Sequence, residues 1–242
     1  MEPFIGVLCW EEDSATGKLI GANWNPKTFS FPIKIKRIKG ANFETIVKNP
    51  TIDMLNRLIR GAQEFESEGA KAITTDCGFN ALWQEELAES VNIPVFTSGL
   101  LLVPLVQRMI GKNKRVAIIT ADSRYLTERH LKAVGIDESI RTYIIGLEDY
   151  KDFYEAATVS GKTVKYLDDE AIRKLQITLA EVGKQLIQEH PDIGAIVLEC
   201  TDLPPFAGVI QEVTKLPVFD IVTLMNMVYL AIHATLRSHR IK

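Results

Sequence analysis

The sequence predicts an α/β protein of two pseudosymmetric lobes, each a parallel sheet flanked by helices, with a functional cleft between them. Short apolar, β-branched runs alternate with longer segments of helical period, the pattern of repeated βα units. An internal repeat reinforces it. Ala72-Ile73-Thr74-Thr75-Asp76-Cys77 and Ala195-Ile196-Val197-Leu198-Glu199-Cys200 share one form, and a Pro-Val-Phe follows each Cys by 17 residues, at Pro94 and Pro217, a constant offset of 123. A chain of 242 residues, 46% hydrophobic, is long enough to bury the core of one large or two small domains.

Taken in order, strands are expected at 4–9, 71–75, 95–97, 115–120, 142–145, 195–199 and 218–220, each a short run rich in Val, Ile, Thr or Phe. Helices are expected near 51–69, 81–91, 100–110, 124–134, 148–157, 168–189, 205–215 and 221–236. A weaker echo pairs 5–9 with 116–120. Residues 1–98 together with 220–242 form the expected first lobe, carrying Cys77, and 99–219 the second, carrying Cys200. Segment 13–40 breaks the alternation, with Gly17, Gly21, Asn23, Asn25 and Pro26 and then the alternating run 31–36. It reads as a long loop with an edge strand, and insertions of that length are often functional covers. Lys34, Lys36, Arg37 and Lys39 on it read as a solvated edge that discourages further pairing.

Composition narrows the partners. With 28 Lys plus Arg against 31 Asp plus Glu, the formal charge of -3 offers no basic field for nucleic acid or an anionic membrane, so a small molecule is the expected partner. The first residues hold no basic leader followed by an apolar segment, giving an expected cytoplasmic location. The apolar stretch 221–236 is shorter than the roughly 20 residues of a membrane span and contains Asn226 and His233, which fits a core or subunit-interface helix. No glycine-rich phosphate loop follows the first strand. His130, His190, His233 and His239 show no ligand spacing, so no metal or other cofactor is expected.

The three cysteines, Cys9, Cys77 and Cys200, have no paired spacing and are expected to be free thiols. Cys9 reads as a packing residue. Cys77 and Cys200 stand at matching carboxyl ends of strands, where ligands bind in open parallel sheets. Halves packed with those edges facing place the two thiols across one cleft. Moving a proton at a carbon next to a carboxylate needs an acid/base group on each face, and a thiol, with a pKa of about 8.5, serves in both roles. Asp76 and Glu199, one residue before each thiol, are expected to point away by strand alternation and to bond backbone N–H groups. Trp10, Phe79 and Phe206 are candidate pocket aromatics, although such residues beside strand ends are more often core.

On these residues the chain resembles the aspartate/glutamate racemase superfamily, with its hydantoin racemase, maleate isomerase and arylmalonate decarboxylase relatives. Glu199-Cys200-Thr201-Asp202 resembles the family's second Gly-Cys-Thr motif, Asp76-Cys77-Gly78-Phe79 its first, and the run 115–120 with Ser123 the opening strand and substrate loop of the second lobe. The resemblance implies flavodoxin-like lobes and catalysis by Cys77 and Cys200 without pyridoxal phosphate or metal. It implies carboxylate binding by Thr120, Ser123 and Thr201, and a homo-oligomer. Gly78, Phe79, Asn80, Asp202 and Trp10 complete the expected substrate-binding set. Gly78-Phe79-Asn80 stands where amino-acid racemases carry Asn-Thr, and Glu199 and Asp202 replace the usual small residue and His or Glu. The expected activity is a cofactor-independent racemase or epimerase acting beside a carboxylate. The alternatives are a maleate-type isomerase, an arylmalonate-type decarboxylase, or a small-ligand binding protein without chemistry.

Overall fold

A computed structural model describes residues 3–158 and 167–233. The expected end of the last helix, 234–236, lies outside the described residues. Among the described residues, eight strands form two separate four-stranded sheets. The first contains β1 (Ile5–Cys9), β2 (Ile33–Arg37), β3 (Ala72–Thr75) and β4 (Val95–Phe96), and the second β5 (Arg115–Thr120), β6 (Thr142–Gly146), β7 (Ile193–Leu198) and β8 (Val218–Phe219). Their orders are β2-β1-β3-β4 and β6-β5-β7-β8, and every pairing is parallel. The second half therefore repeats the topology of the first, as the sequence repeat predicts.

The helices are α1 (Ile52–Ser67), α2 (Gln84–Glu89), α3 (Val103–Ile110), α4 (Glu128–Ala133), α5 (Lys151–Thr158), α6 (Asp169–Glu189), α7 (Ala207–Thr214) and α8 (Ile221–Ile232). Several begin on side-chain caps readable in the sequence. Thr51 accepts from the Met54 amide, Asp168 from Ala171 and Asp220 from Thr223, each relieving one of the unpaired donors of a first turn. Expected helices at 81–91 and 100–110 are shorter, because 3-10 turns over Gly78–Trp83 and Gly99–Leu102 precede α2 and α3. A π-helical turn at Phe43–Lys48, unanticipated by the sequence pattern, is fixed by a reciprocal cap between Asn42 and Thr45.

Strand alternation partitions the core. Val116, Ile118, Ala195 and Val197 face a cluster shared with the first sheet, whereas Ala117, Ile119, Ile196 and Leu198 face Phe153, Leu175, Leu179 and Phe206 under α5, α6 and α7. α8 returns to the first half, where Tyr229 stacks on Phe31 with ring centroids 3.9 Å apart. β2 is an edge strand, as expected, but its basic residues are not simply solvated. Lys36 bonds Glu64 and Glu68 on α1 at 2.7 and 2.9 Å, and Arg37 pairs with Asp13 and lies 5.0 Å over the Trp24 ring. The edge charges thus fasten the long loop to its sheet. Among the described residues no helix is long and apolar enough to cross a membrane.

Candidate active site

Each thiol sits just beyond the carboxyl end of the third strand of its half. Cys77 follows β3 by two residues and opens the 3-10 turn, whose residues Gly78 to Trp83 are all buried. Cys200 follows β7 by two residues and precedes another turn, Pro204–Phe206. Both line one cavity. From the first half Trp10, Asp76, Gly78 and Phe79 join them, and from the second Glu199, Thr201 and Asp202. The remaining wall includes Glu12, Ser14 and Trp24 from the loop after β1 and Phe43 from the π-helical turn after β2.

Asp76 and Glu199 turn into this cavity rather than away from it. Both lie past the last paired residue of their strands, Thr75 and Leu198, where strict alternation no longer applies. Asp76 Oδ2 does accept a backbone N–H, that of Trp10 at 2.8 Å, and Glu199 Oε2 accepts the Thr120 hydroxyl at 2.7 Å. In both carboxyls the second oxygen, Asp76 Oδ1 and Glu199 Oε1, is buried without a protein partner. Burial raises each to about 7. Asp202, which accepts the Ser14 hydroxyl at 2.6 Å, is raised by burial to about 6.

Burial also pushes both thiols well above their ordinary value. For Cys77 the next influence is the charge of Glu199, then that of Asp76; for Cys200 it is Asp202, then Glu199. In both cases the backbone N–H two residues on, of Phe79 or of Asp202, favours the thiolate. The halves interlock around these groups. Thr201 donates its hydroxyl to the Asp76 carbonyl, and the Glu199 carboxyl lies against Gly78, where an added Cβ would stand 2.1 Å from the Glu199 carbonyl oxygen and 2.3 Å from Oε1.

The structure brings Trp10, Cys77, Gly78, Phe79, Cys200, Thr201 and Asp202 to the cavity. Thr120 does not line it, and its hydroxyl is committed to Glu199. Ser123 donates to Glu148 at 2.6 Å, away from the cavity, and Asn80 is buried beneath the turn. Phe206 belongs to the core of the second half, and Cys9 is buried at 1% exposure without reaching the cavity. Glu12, near the end of the first strand, also reaches the cavity, as its place beside Trp10 suggests; sequence reading missed Ser14, Trp24 and Phe43, for which the one available signal was the length of the segment that carries Ser14 and Trp24. No Lys or Arg lines the cavity among the described residues, and none of their acidic, His and Cys side chains form a group of three placed for a metal ion.

Comparison with known proteins fits this geometry. The chain is 32% identical over 202 residues to a dimethylsulfoniopropionate lyase of Durusdinium sp. clade D, covering 81% of this chain and 64% of the relative. It is 29% identical over 229 residues to dimethylsulfoniopropionate lyase 7 of Emiliania huxleyi, covering 93% and 65%. The chain thus spans a little under two thirds of the length of these curated relatives. Among solved structures it resembles a mutant of arylmalonate decarboxylase in a sulfate-associated form, with TM-score 0.63, 17% identity and coverage of 96% of this chain and 93% of that one. Picrophilus torridus aspartate racemase gives TM-score 0.59, 15% identity and coverage of 95% and 93%. Allantoin racemase of Klebsiella pneumoniae gives 0.61, 16%, and 96% and 88%. The profile of Asp/Glu/Hydantoin racemases matches residues 41–225, and the chain belongs to that family.

Proposed function

We propose that this chain removes the proton next to the carboxylate of a small substrate with a cavity thiol, and that the resulting carbanion expels a sulfonium group from the neighbouring carbon. The observation that carries the reading is the pairing of two thiols with a wall that, among the described residues, holds carboxyls and aromatic rings and no Lys or Arg. Such a wall suits a positively charged substrate end. The relatives named as dimethylsulfoniopropionate lyases supply the matching substrate, a carboxylate with a dimethylsulfonium on its β carbon. The thiolate takes the α-proton, the C–H electron pair becomes the new Cα–Cβ double bond, and the Cβ–S bond breaks with its pair leaving on a neutral sulfide. Trp10 Nε1–H, buried without a protein partner, is a donor for the substrate carboxylate.

Racemisation remains a second reading because two thiols share the cavity, and return of the proton from the opposite face needs a second acid. One experiment separates them. The protein is incubated in D2O with dimethylsulfoniopropionate and, in parallel, with a panel of chiral amino acids and hydantoins. Dimethyl sulfide in the headspace is followed by gas chromatography, and α-deuteration by NMR. Sulfide release at enzymatic rate supports the lyase; deuteration of a chiral acid without elimination supports the racemase. Neither signal sinks both. Assembly as a homo-oligomer belongs to the same proposal, with exposed Leu105 and Met109 on α3 and Met227 and Leu230 on α8 as apolar surface available to it.

A further inference from the structure

We propose that Glu199 is the seat for the cationic end of the substrate, the buried carboxylate that distinguishes an onium group from an uncharged alkyl group of the same shape. The inference rests on the reading that the cavity takes a substrate with a positive end, and deepens it by naming the residue that recognises that end.

The argument starts from an imbalance of charge. Four carboxyls, Glu12, Asp76, Glu199 and Asp202, line the cavity, and among the described residues no Lys or Arg joins them. A carboxylate withdrawn from water is costly unless a cation or a full set of donors meets it. Asp202 takes the Ser14 hydroxyl, and Asp76 takes the Trp10 amide and lies in the field of Arg37. Glu12 and Asp76 are also only half-buried. Glu199 differs on each count. Its exposure is 0%, Thr120 holds Oε2 at 2.7 Å, and Oε1 has no protein partner. Burial raises it to about 7, and the one opposing influence is the Thr120 bond, with no cation acting on it. The other titratable groups around it are Asp76, Cys77, Cys200 and Asp202.

The position of the carboxyl fits the role. Glu199 precedes Cys200 in the chain, and its carboxyl lies against Gly78, which follows Cys77. It therefore stands between the residues that carry the two thiols. Gly78 has no side chain to crowd Oε1, since a Cβ there would stand 2.3 Å from it. A sulfonium or quaternary ammonium group has no N–H or O–H to donate, so charge and aromatic faces must hold it, and Trp24 and Phe43 bring such faces to the same cavity. The Thr120 bond fixes the carboxyl before the ligand arrives, which lowers the cost of ordering it. A cation on this seat also offsets the carboxylate charges that raise both thiols.

The test compares two probes of one shape by isothermal titration calorimetry at pH 8. One is 3-(trimethylammonio)propanoate, and the other is 4,4-dimethylpentanoate, in which carbon replaces the charged nitrogen. Neither carries a sulfonium to expel, so binding is read without turnover. The wild-type chain should bind the ammonium probe at least about tenfold more tightly than its neutral twin. Glu199→Gln, which keeps the shape and removes the charge, should bring that ratio to about one by weakening the ammonium probe alone. Asp76→Asn should keep most of the preference. The proposal is overturned by an unchanged ratio in Glu199→Gln, by loss of the ratio in Asp76→Asn instead, by no preference in the wild type, or by failure of both probes to bind. Should Glu199→Gln not fold, Thr120→Val decides. The wild-type preference is present above about pH 7 and is lost as pH falls through that value and Glu199 takes up a proton. Removing the hydroxyl that favours the charged form must move this midpoint to higher pH, and an unmoved midpoint overturns the proposal equally. A Glu199-dependent preference without sulfide release from dimethylsulfoniopropionate keeps the seat and sinks the lyase. Sulfide release with an unchanged ratio keeps the lyase and sinks the seat.

Discussion

Cys77 and Cys200 occupy the same station in two copies of one topology, yet their surroundings differ. Cys77 is faced across the lobe boundary by Glu199, whose Oε1 is unpaired. After burial, Cys200 is influenced most by Asp202 of its own half, two residues on, and Asp202 is held by Ser14 from the loop of the other half. Duplication thus explains where the thiols stand, and the unmatched carboxyls explain how they differ. In both halves a nearby carboxylate raises the thiol it faces, and the halves differ in which carboxyl does so most: Glu199 for Cys77 and Asp202 for Cys200.

The sharpest way to break this comparison is to remove each thiol in turn. Cys77→Ser is expected to lower kcat/KM for sulfide release by about a thousandfold, the scale of a lost general base. Cys200→Ser should cost markedly less in elimination, which needs one base, while abolishing any stereochemical inversion. Equal losses in headspace assays would erase the division of labour between the halves.

A smaller effect lies in stability. Burial raises Glu199 from 4.5 to about 7 in the folded chain, so the folded state binds this proton more tightly than the unfolded one. Its contribution is fully present below the unfolded value of 4.5 and is lost as pH rises through about 7. Glu199→Gln should therefore be the more stable protein at pH 8, by roughly 1–3 kcal/mol in urea titrations. No gain at pH 8 would mean that the carboxylate is solvated. Smallest of all, Ser14→Ala removes one hydrogen bond from Asp202 and should cost about 1 kcal/mol of stability. It should also raise Asp202 above its present value of about 6, shifting the pH profile of Cys200 alkylation more than that of Cys77.

Much of the fold was legible because buried parallel strands need β-branched apolar runs on both faces, and 115–120 shows that run without interruption. Helix ends were less legible, since local 3-10 turns at Gly78 and Gly99 respond to packing rather than periodicity. The thiol pair was legible through the repeat. The rest of the wall was not, for two physical reasons. Alternation fails one residue past a strand, which hid the orientation of Asp76 and Glu199. The rings of Trp24 and Phe43 arrive from segments whose local pattern carries no trace of where they dock. Nor did the residues suggest elimination: their resemblance implies removal of a proton beside a carboxylate, and the proposed fate of the carbanion depends on the leaving group that the substrate brings.

The loop that leaves β1 also constrains how such a molecule can be taken apart. Its Ala15 amide bonds the Ala156 carbonyl at 3.2 Å, its Ser14 holds Asp202, and its Gly21 rests on Pro205, all in the second half. The second half in turn supplies Glu199 and Thr201 to the first. Neither half is an autonomous folding unit with a finished site, so separated fragments should recover activity only when mixed.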